Sequence, residues 1–124
     1  MMDVEKAKIA YRKQFPDAVL FSYGFDDNYG LLFKEVFESF DDTIKYVDKD
    51  YKVKQIFCPP NANVKRPSID KEIKCFDETE EKRLVAFVDA YDTKKGKGAF
   101  AKDMNWPNKG WKSVNDFISY LKAL

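Results

Sequence analysis

The sequence predicts an α+β fold: a small antiparallel β-sheet, a meander of about four to five strands, packed by an N-terminal helix and two C-terminal helices. Three observations carry this expectation. Aromatic and aliphatic residues alternate with period two between positions 18 and 57. Apolar residues recur at helical spacing near both ends of the chain. Clusters of Asp, Asn and Pro punctuate these runs. A length of 124 residues is that of one domain, spanning 1–124.

Asp3 is placed to cap a first helix reaching about Gln14, with Val4, Ala7 and Tyr11 on one face. Phe15-Pro16 stops it, because a residue before proline avoids the α region. From Ala18 the rhythm changes. Phe21, Tyr23 and Phe25 alternate with Leu20, Ser22 and Gly24, and Asp26-Asp27-Asn28 supplies turn chemistry. The segment Leu31–Phe40 carries two competing patterns. Phe33, Val36, Phe37 and Phe40 form a helical stripe, whereas Tyr29, Leu31 and Phe33 continue a strand. The strand is preferred, because aromatic residues close to further β pattern suit a meander. Ile44–Val47 and Tyr51–Phe57 read as a hairpin around Asp48-Lys49-Asp50. Pro59-Pro60 ends the sheet, since neither can donate an N–H. The polar stretch Asn61–Asp70 reads as a loop or mobile arm, and Ile73–Phe76 as a short strand.

Asp77 and Glu80 then have capping-box spacing, and Leu84, Phe87, Val88 and Tyr91 form a helical stripe ending near Lys94-Lys95-Gly96. Residues 94–112 lack periodicity. A last helix starts at Ser113, with Val114, Phe117, Ile118 and Leu121 on one face.

Composition narrows the chemistry. There is no histidine, which removes Ser-His-Asp triads, Cys-His pairs and His-ligated metals from this chain acting alone. Two cysteines, Cys58 and Cys75, cannot close a zinc site by themselves. The N-terminus has no signal-like apolar run and no stretch has the length of a membrane span, so a cytoplasmic protein is expected, with no membrane partner. Lys plus Arg number 22 against 21 Asp plus Glu. A total so near neutral excludes a globally basic protein, not a local basic site.

Two features stand out. The segment 94–112 holds six lysines (Lys94, Lys95, Lys97, Lys102, Lys109, Lys112) against one aspartate, Asp103. It also holds three glycines, Phe100, Trp106 and Trp111. Lysines attract phosphate, glycines let backbone N–H groups approach it, and aromatic faces stack on bases. Lys94, Lys95, Lys97, Lys102, Trp106, Lys109 and Trp111 are thus candidate ligands for a nucleotide, another phosphate-containing small molecule or a single-stranded nucleic acid. Within it, Gly96 to Ala101 matches G-x-G-x-x-A, but that fingerprint needs a strand before it and a helix directly after it, and neither is expected. The second feature is the aromatic surplus, twenty rings in all. One or two helices cover only one face of a small sheet. Phe21, Tyr23, Phe25 and Tyr29 are therefore candidate interface residues toward a protein partner or a second copy.

The leading expectation is a non-enzymatic binding or regulatory protein acting by protein contact or self-association on that aromatic face. The alternative is a nucleotide or single-stranded nucleic-acid binder using 94–112. A second alternative, a divalent-metal enzyme, would use Asp26-Asp27 or Asp41-Asp42, which serve equally as turn formers. No catalytic residue, metal ligand or cofactor is assigned.

Overall fold

Asp3 opens the first helix, α1 (Val4–Gln14), by accepting hydrogen bonds from the N–H groups of Glu5 and Lys6 at 3.0 and 3.3 Å. A cap of this kind contributes about 1 kcal/mol. The helix ends at Phe15, whose N–H donates to the Tyr11 carbonyl. The computed structural model describes residues 2–37, 41–69 and 71–124. Five strands follow α1: β1 (Leu20–Asp26), β2 (Gly30–Glu35), β3 (Thr43–Val47), β4 (Val53–Phe57) and β5 (Ile73–Lys74). They form one antiparallel sheet in the order β4-β3-β2-β1-β5. The chain is thus α+β, with one antiparallel sheet, an N-terminal helix and helices at the C-terminal end. It divides into two compact units, Met1–Cys75 and Phe76–Leu124.

The contested segment is a strand over Gly30–Glu35, with bends at Val36 and Phe37. Phe40, the last member of the competing helical stripe, lies outside the described residues. The strand is favoured because β2 is a central strand with a ladder on each side. Leu31, Leu32 and Phe33 are all buried, as a strand covered on both faces requires. The second hairpin falls short of expectation at Tyr51 and Lys52. Tyr51 adopts φ 61° within the turn, so β4 starts two residues later, at Val53.

One face of the sheet packs under α1. Ala7, Tyr11, Leu20, Leu31, Phe33 and Val47 form the core there. Simple alternation assigns Leu20 to the opposite face from Tyr23. A β-bulge between Leu20 and Ser22 corrects this: Leu20 pairs with Glu35 and Tyr23 with Phe33, and Glu35 and Phe33 share a face. The extra residue in the bulge is Phe21.

The other face is crossed by the chain that links β4 to β5. Its described part is a strap tied down at several points, not a free arm. Ser22, fully buried, donates from Oγ to Glu72 at 2.6 Å. The Tyr29 hydroxyl donates to the Lys65 carbonyl at 2.6 Å. The Ser68 N–H donates to Asp26 Oδ2 at 2.8 Å, and Arg66 Nη1 to the Cys58 carbonyl at 2.8 Å. The segment is a loop, one of the two forms its polarity predicts; its anchorage is not legible, because these bonds use backbone groups and short polar side chains that any loop carries. Gly24 permits the approach, since a Cβ at that position would stand 1.9 Å from Ile69 Cγ2.

In the second unit, Asp77 accepts from the Glu80 N–H at 3.1 Å and starts α2 (Glu78–Lys95). Acidic residues fill its first turn and Lys94 and Lys95 its last, each favourable to the helix dipole. The segment after it is not aperiodic loop. It holds a short helix, α3 (Ala99–Asp103), then a 3₁₀ turn (Trp106–Lys109), before α4 (Val114–Ala123). Turns of four and five residues are too short to print a helical stripe in sequence. Gly98 (φ 76°) and Asn105 (φ 60°) set the chain direction before each of them. Ser113 precedes α4, and Asp116 Oδ2 reaches back to accept the Lys112 N–H at 2.7 Å.

Gly24→Ala will force Ile69 and the strap away from the sheet. Overpacking of this kind costs about 1–3 kcal/mol. Urea unfolding will show the loss, and limited proteolysis will show faster cleavage between residues 59 and 69 than in the parent chain.

Candidate functional site

The lysine-rich segment is built on one end of α2. Asp92, one turn before the helix ends, accepts the Phe100 N–H at 2.8 Å and so fastens α3 to α2. The Tyr91 hydroxyl donates to Asp103. This hydrogen bond to a carboxylate raises the Tyr91 pKa and engages the only acid in the segment. Lys94, Lys95, Lys97, Lys102, Lys109 and Lys112 are all exposed. Lys95 lies 5.0 Å from the centre of the Tyr91 ring, and Lys109 lies 5.0 Å from that of Trp111. The glycine-rich match at 96–101 runs into α3, which begins at Ala99, contrary to the sequence expectation, but it is preceded by a helix, so the strand-turn-helix cradle of a dinucleotide site is not formed.

The two tryptophans separate. Trp106 is only 4% exposed and packs edge-on against Phe100, Trp111 and Phe117. It belongs to the core of this unit, with Leu84, Val88, Phe100, Ile118 and Leu121. Its Nε1 is buried with no hydrogen-bond partner among the described residues. A ring so enclosed has no free face for a base. Trp111 is half-buried, 5.1 Å from the ring of Tyr120, which is 48% exposed. Tyr120 is not among the residues that the sequence marks as candidates; its one local signal is its place three residues, about one helical turn, after Phe117.

In the first unit, the candidate interface aromatics make internal contacts. Tyr23 and Phe25 pack on the core under α1, and Tyr23 also meets the Phe33 ring. Phe21 lies under the Lys74 ammonium, and Tyr29 packs on Tyr46. All four remain partly exposed.

An arrangement not foreseen from sequence lies where β2 and β3 part. Their ladder ends at Leu32↔Tyr46, and beyond it opens a groove of about 630 Å³. Lys34 and Lys45 border it from the strands, Arg66 and Glu72 from the strap. At its edge, Glu35 Oε2 accepts the Tyr11 hydroxyl at 2.6 Å and pairs with Lys45 Nζ at 2.7 Å. Burial, then the hydrogen bond to Glu35 and its charge, push the Tyr11 pKa far above its ordinary value. Glu35 and Lys45 meet only through strand register, which no local motif announces.

The acidic pairs do not converge. Asp26 sits at the β1–β2 turn, and Asp42 precedes β3 at the far end of β2. Among the described residues, no group of three or more Cys, Asp or Glu could hold a metal ion. Asp26 is a structural acceptor. Desolvation raises its pKa, but the N–H groups of Ser68, Asn28 and Tyr29 and the charge of Lys65 outweigh this and leave it lowered. Asp41 likewise accepts the Thr43 N–H at 3.1 Å.

Two outcomes follow. A carboxylate with a lowered folded pKa contributes stability above its unfolded pKa, and that contribution is lost as pH falls through the folded value. Exchange of the Ser68 amide will therefore accelerate as pH falls below the usual aspartate range, once corrected for intrinsic rates, and Asp26→Asn will abolish that step. Trp106→Ala will cost about 3–5 kcal/mol. Trp106→Phe will cost much less, because it removes the unpaired Nε1 donor together with part of the ring; chemical denaturation of both variants measures the difference. Compared with protein-family models, with curated proteins and with solved structures, the chain matches none.

Proposed function

We propose that the chain is a non-enzymatic binding protein that takes a phosphate-bearing strand, a single-stranded nucleic acid, on the lysine-rich end of its second unit. The supporting observation is the disposition of charge. Six exposed lysines and one acid, itself hydrogen-bonded to Tyr91, run from the last turn of α2 through α3, which Asp92 fastens to α2, and the 3₁₀ turn to Lys112. Each lysine that meets a phosphate releases condensed counterions, which drives binding without sequence preference. Trp111 and Tyr120 supply partly exposed rings, with Lys109 over that of Trp111, and stacking on such rings contributes about 1–3 kcal/mol per base.

Contact with a protein remains a second reading. Its support lies not in the aromatic face, whose rings have internal partners, but in the outer strand of the sheet, where Phe57 is 65% exposed. The metal-dependent reading has no comparable support, because Asp26 and Asp41 accept backbone N–H groups in separate turns.

Fluorescence anisotropy of a labelled single-stranded oligonucleotide tests the leading reading. Binding is expected at low salt, with log K falling by about 0.7 per decade of salt for each phosphate neutralised. Lys94→Glu, Lys95→Glu and Lys97→Glu combined will abolish it, and Trp111 fluorescence will be quenched in the complex of the parent chain. No binding at low salt to DNA or RNA strands, or equal binding by the triple variant, overturns the reading.

A further inference from the structure

The outer edge of β4 is a strand surface with no partner among the described residues. Its hydrogen-bonding phase is fixed by the two bonds that flank the β3–β4 ladder. Asp48 N–H donates to the Lys52 carbonyl at 2.9 Å, and Cys58 N–H to the Asp42 carbonyl at 2.8 Å. Antiparallel pairs alternate between bonded and non-bonded. The pairs that bond β4 to β3 are therefore the even-numbered residues of β4. Val53, Gln55 and Phe57 turn their N–H and carbonyl groups outward, away from β3.

We propose that this edge pairs with the same edge of a second copy, antiparallel and centred on Gln55. Three features favour a second copy over an unrelated strand. First, the register is self-complementary. Gln55 faces Gln55 of the second copy, and Val53 faces its Phe57, so all three outward residues fall in bonded pairs about a two-fold axis. Second, side chains match across that register. Val53, Gln55 and Phe57 share one face of the strand, so the exposed Phe57 ring comes to rest on Val53 of the other chain. Third, the charges are compatible with this register. Lys54 faces Ile56 and Lys52 faces Cys58, so no lysine directly opposes another. Lys54 meets its counterpart only on the diagonal, which makes the dimer stronger as salt rises.

Such an edge joins few residues and falls at the small end of protein interfaces, so the dimer is expected to be weak and concentration-dependent. It is independent of the ligand proposed for the second unit, and its salt dependence has the opposite sign.

Sedimentation equilibrium will show a monomer–dimer equilibrium that shifts toward dimer with added salt. Gln55→Pro removes an outward N–H without touching the β3 ladder, and Phe57→Ser removes the cross-strand ring. Each will shift the dissociation constant upward by tenfold or more (about 1.4 kcal/mol) while circular dichroism shows an intact fold. Cysteine cross-linking tests the register even if Gln55→Pro fails to fold. In a bonded pair the two Cα atoms stand about 5.5 Å apart, within disulfide reach, whereas Lys54 and its counterpart are roughly 8 Å apart. Oxidised glutathione will convert Gln55→Cys to a covalent dimer above the background given by Cys58 and Cys75 in the parent chain, and Lys54→Cys will stay at background. A parent chain that stays monomeric at millimolar concentration, or equal cross-linking by the two cysteine variants, overturns the proposal.

Discussion

A tyrosine hydroxyl buried under a helix must find an acceptor, and the placement of that acceptor organises the first unit. Tyr11 is fully buried, with its ring against Phe15 and Phe33. An unpaired hydroxyl there would cost about 1–3 kcal/mol. Glu35 accepts it from the last residue of β2. A half-buried carboxylate needs a counter-charge in turn, and Lys45 supplies it from β3 while lying 4.3 Å above the centre of the Phe15 ring. The chain of requirements thus links α1 to β2, and β2 to β3 past the point where their ladder has stopped. The ion pair holds together two strands that backbone hydrogen bonding no longer joins, and the groove between them is the consequence.

The other face of the sheet obeys a different constraint. Among the described residues of the first unit α1 is the only helix, and it lies on the opposite face. A strap of polar chain covers this face instead, and its hold is directional, not hydrophobic. Asp26 shows the economy of the arrangement: one carboxylate terminates the β1–β2 turn through Asn28 and Tyr29 and also binds the strap through Ser68. Gly24 is the steric counterpart. Rings that alternation marked as surplus thus become lining for the core or the strap, while the outer edge of β4 has no strand partner among the described residues.

These constraints explain what was legible in the sequence. Helix starts at Asp3 and Asp77, both hairpins and the antiparallel sheet could be read because capping, turn chemistry and alternation act over a few residues. The bulge at Phe21 could not, since it is recognised only by the register of Leu20 against Glu35. The Tyr11–Glu35–Lys45 cluster joins residues far apart in sequence for the same reason. In the second unit, the six lysines were visible as composition, but the fate of the two tryptophans was not. Trp106 stands between Asn105 and Pro107 and Trp111 between Gly110 and Lys112, and neither setting marks a core position. Only the placement of α3 and α4 puts one inside and leaves the other half out.

That difference changes the energetics of the proposed interface. With Trp106 enclosed by Phe100, Trp111 and Phe117, stacking cannot draw on two tryptophan faces. It falls to Trp111 and Tyr120, each partly engaged with the other. Attraction at this end of the unit must then come chiefly from the lysines, so it is long-ranged, tolerant of sequence and weakened by salt. Edge pairing at β4 has the reverse character: short-ranged, fixed in register by alternating backbone groups, and opposed by the diagonal approach of Lys54 to its counterpart.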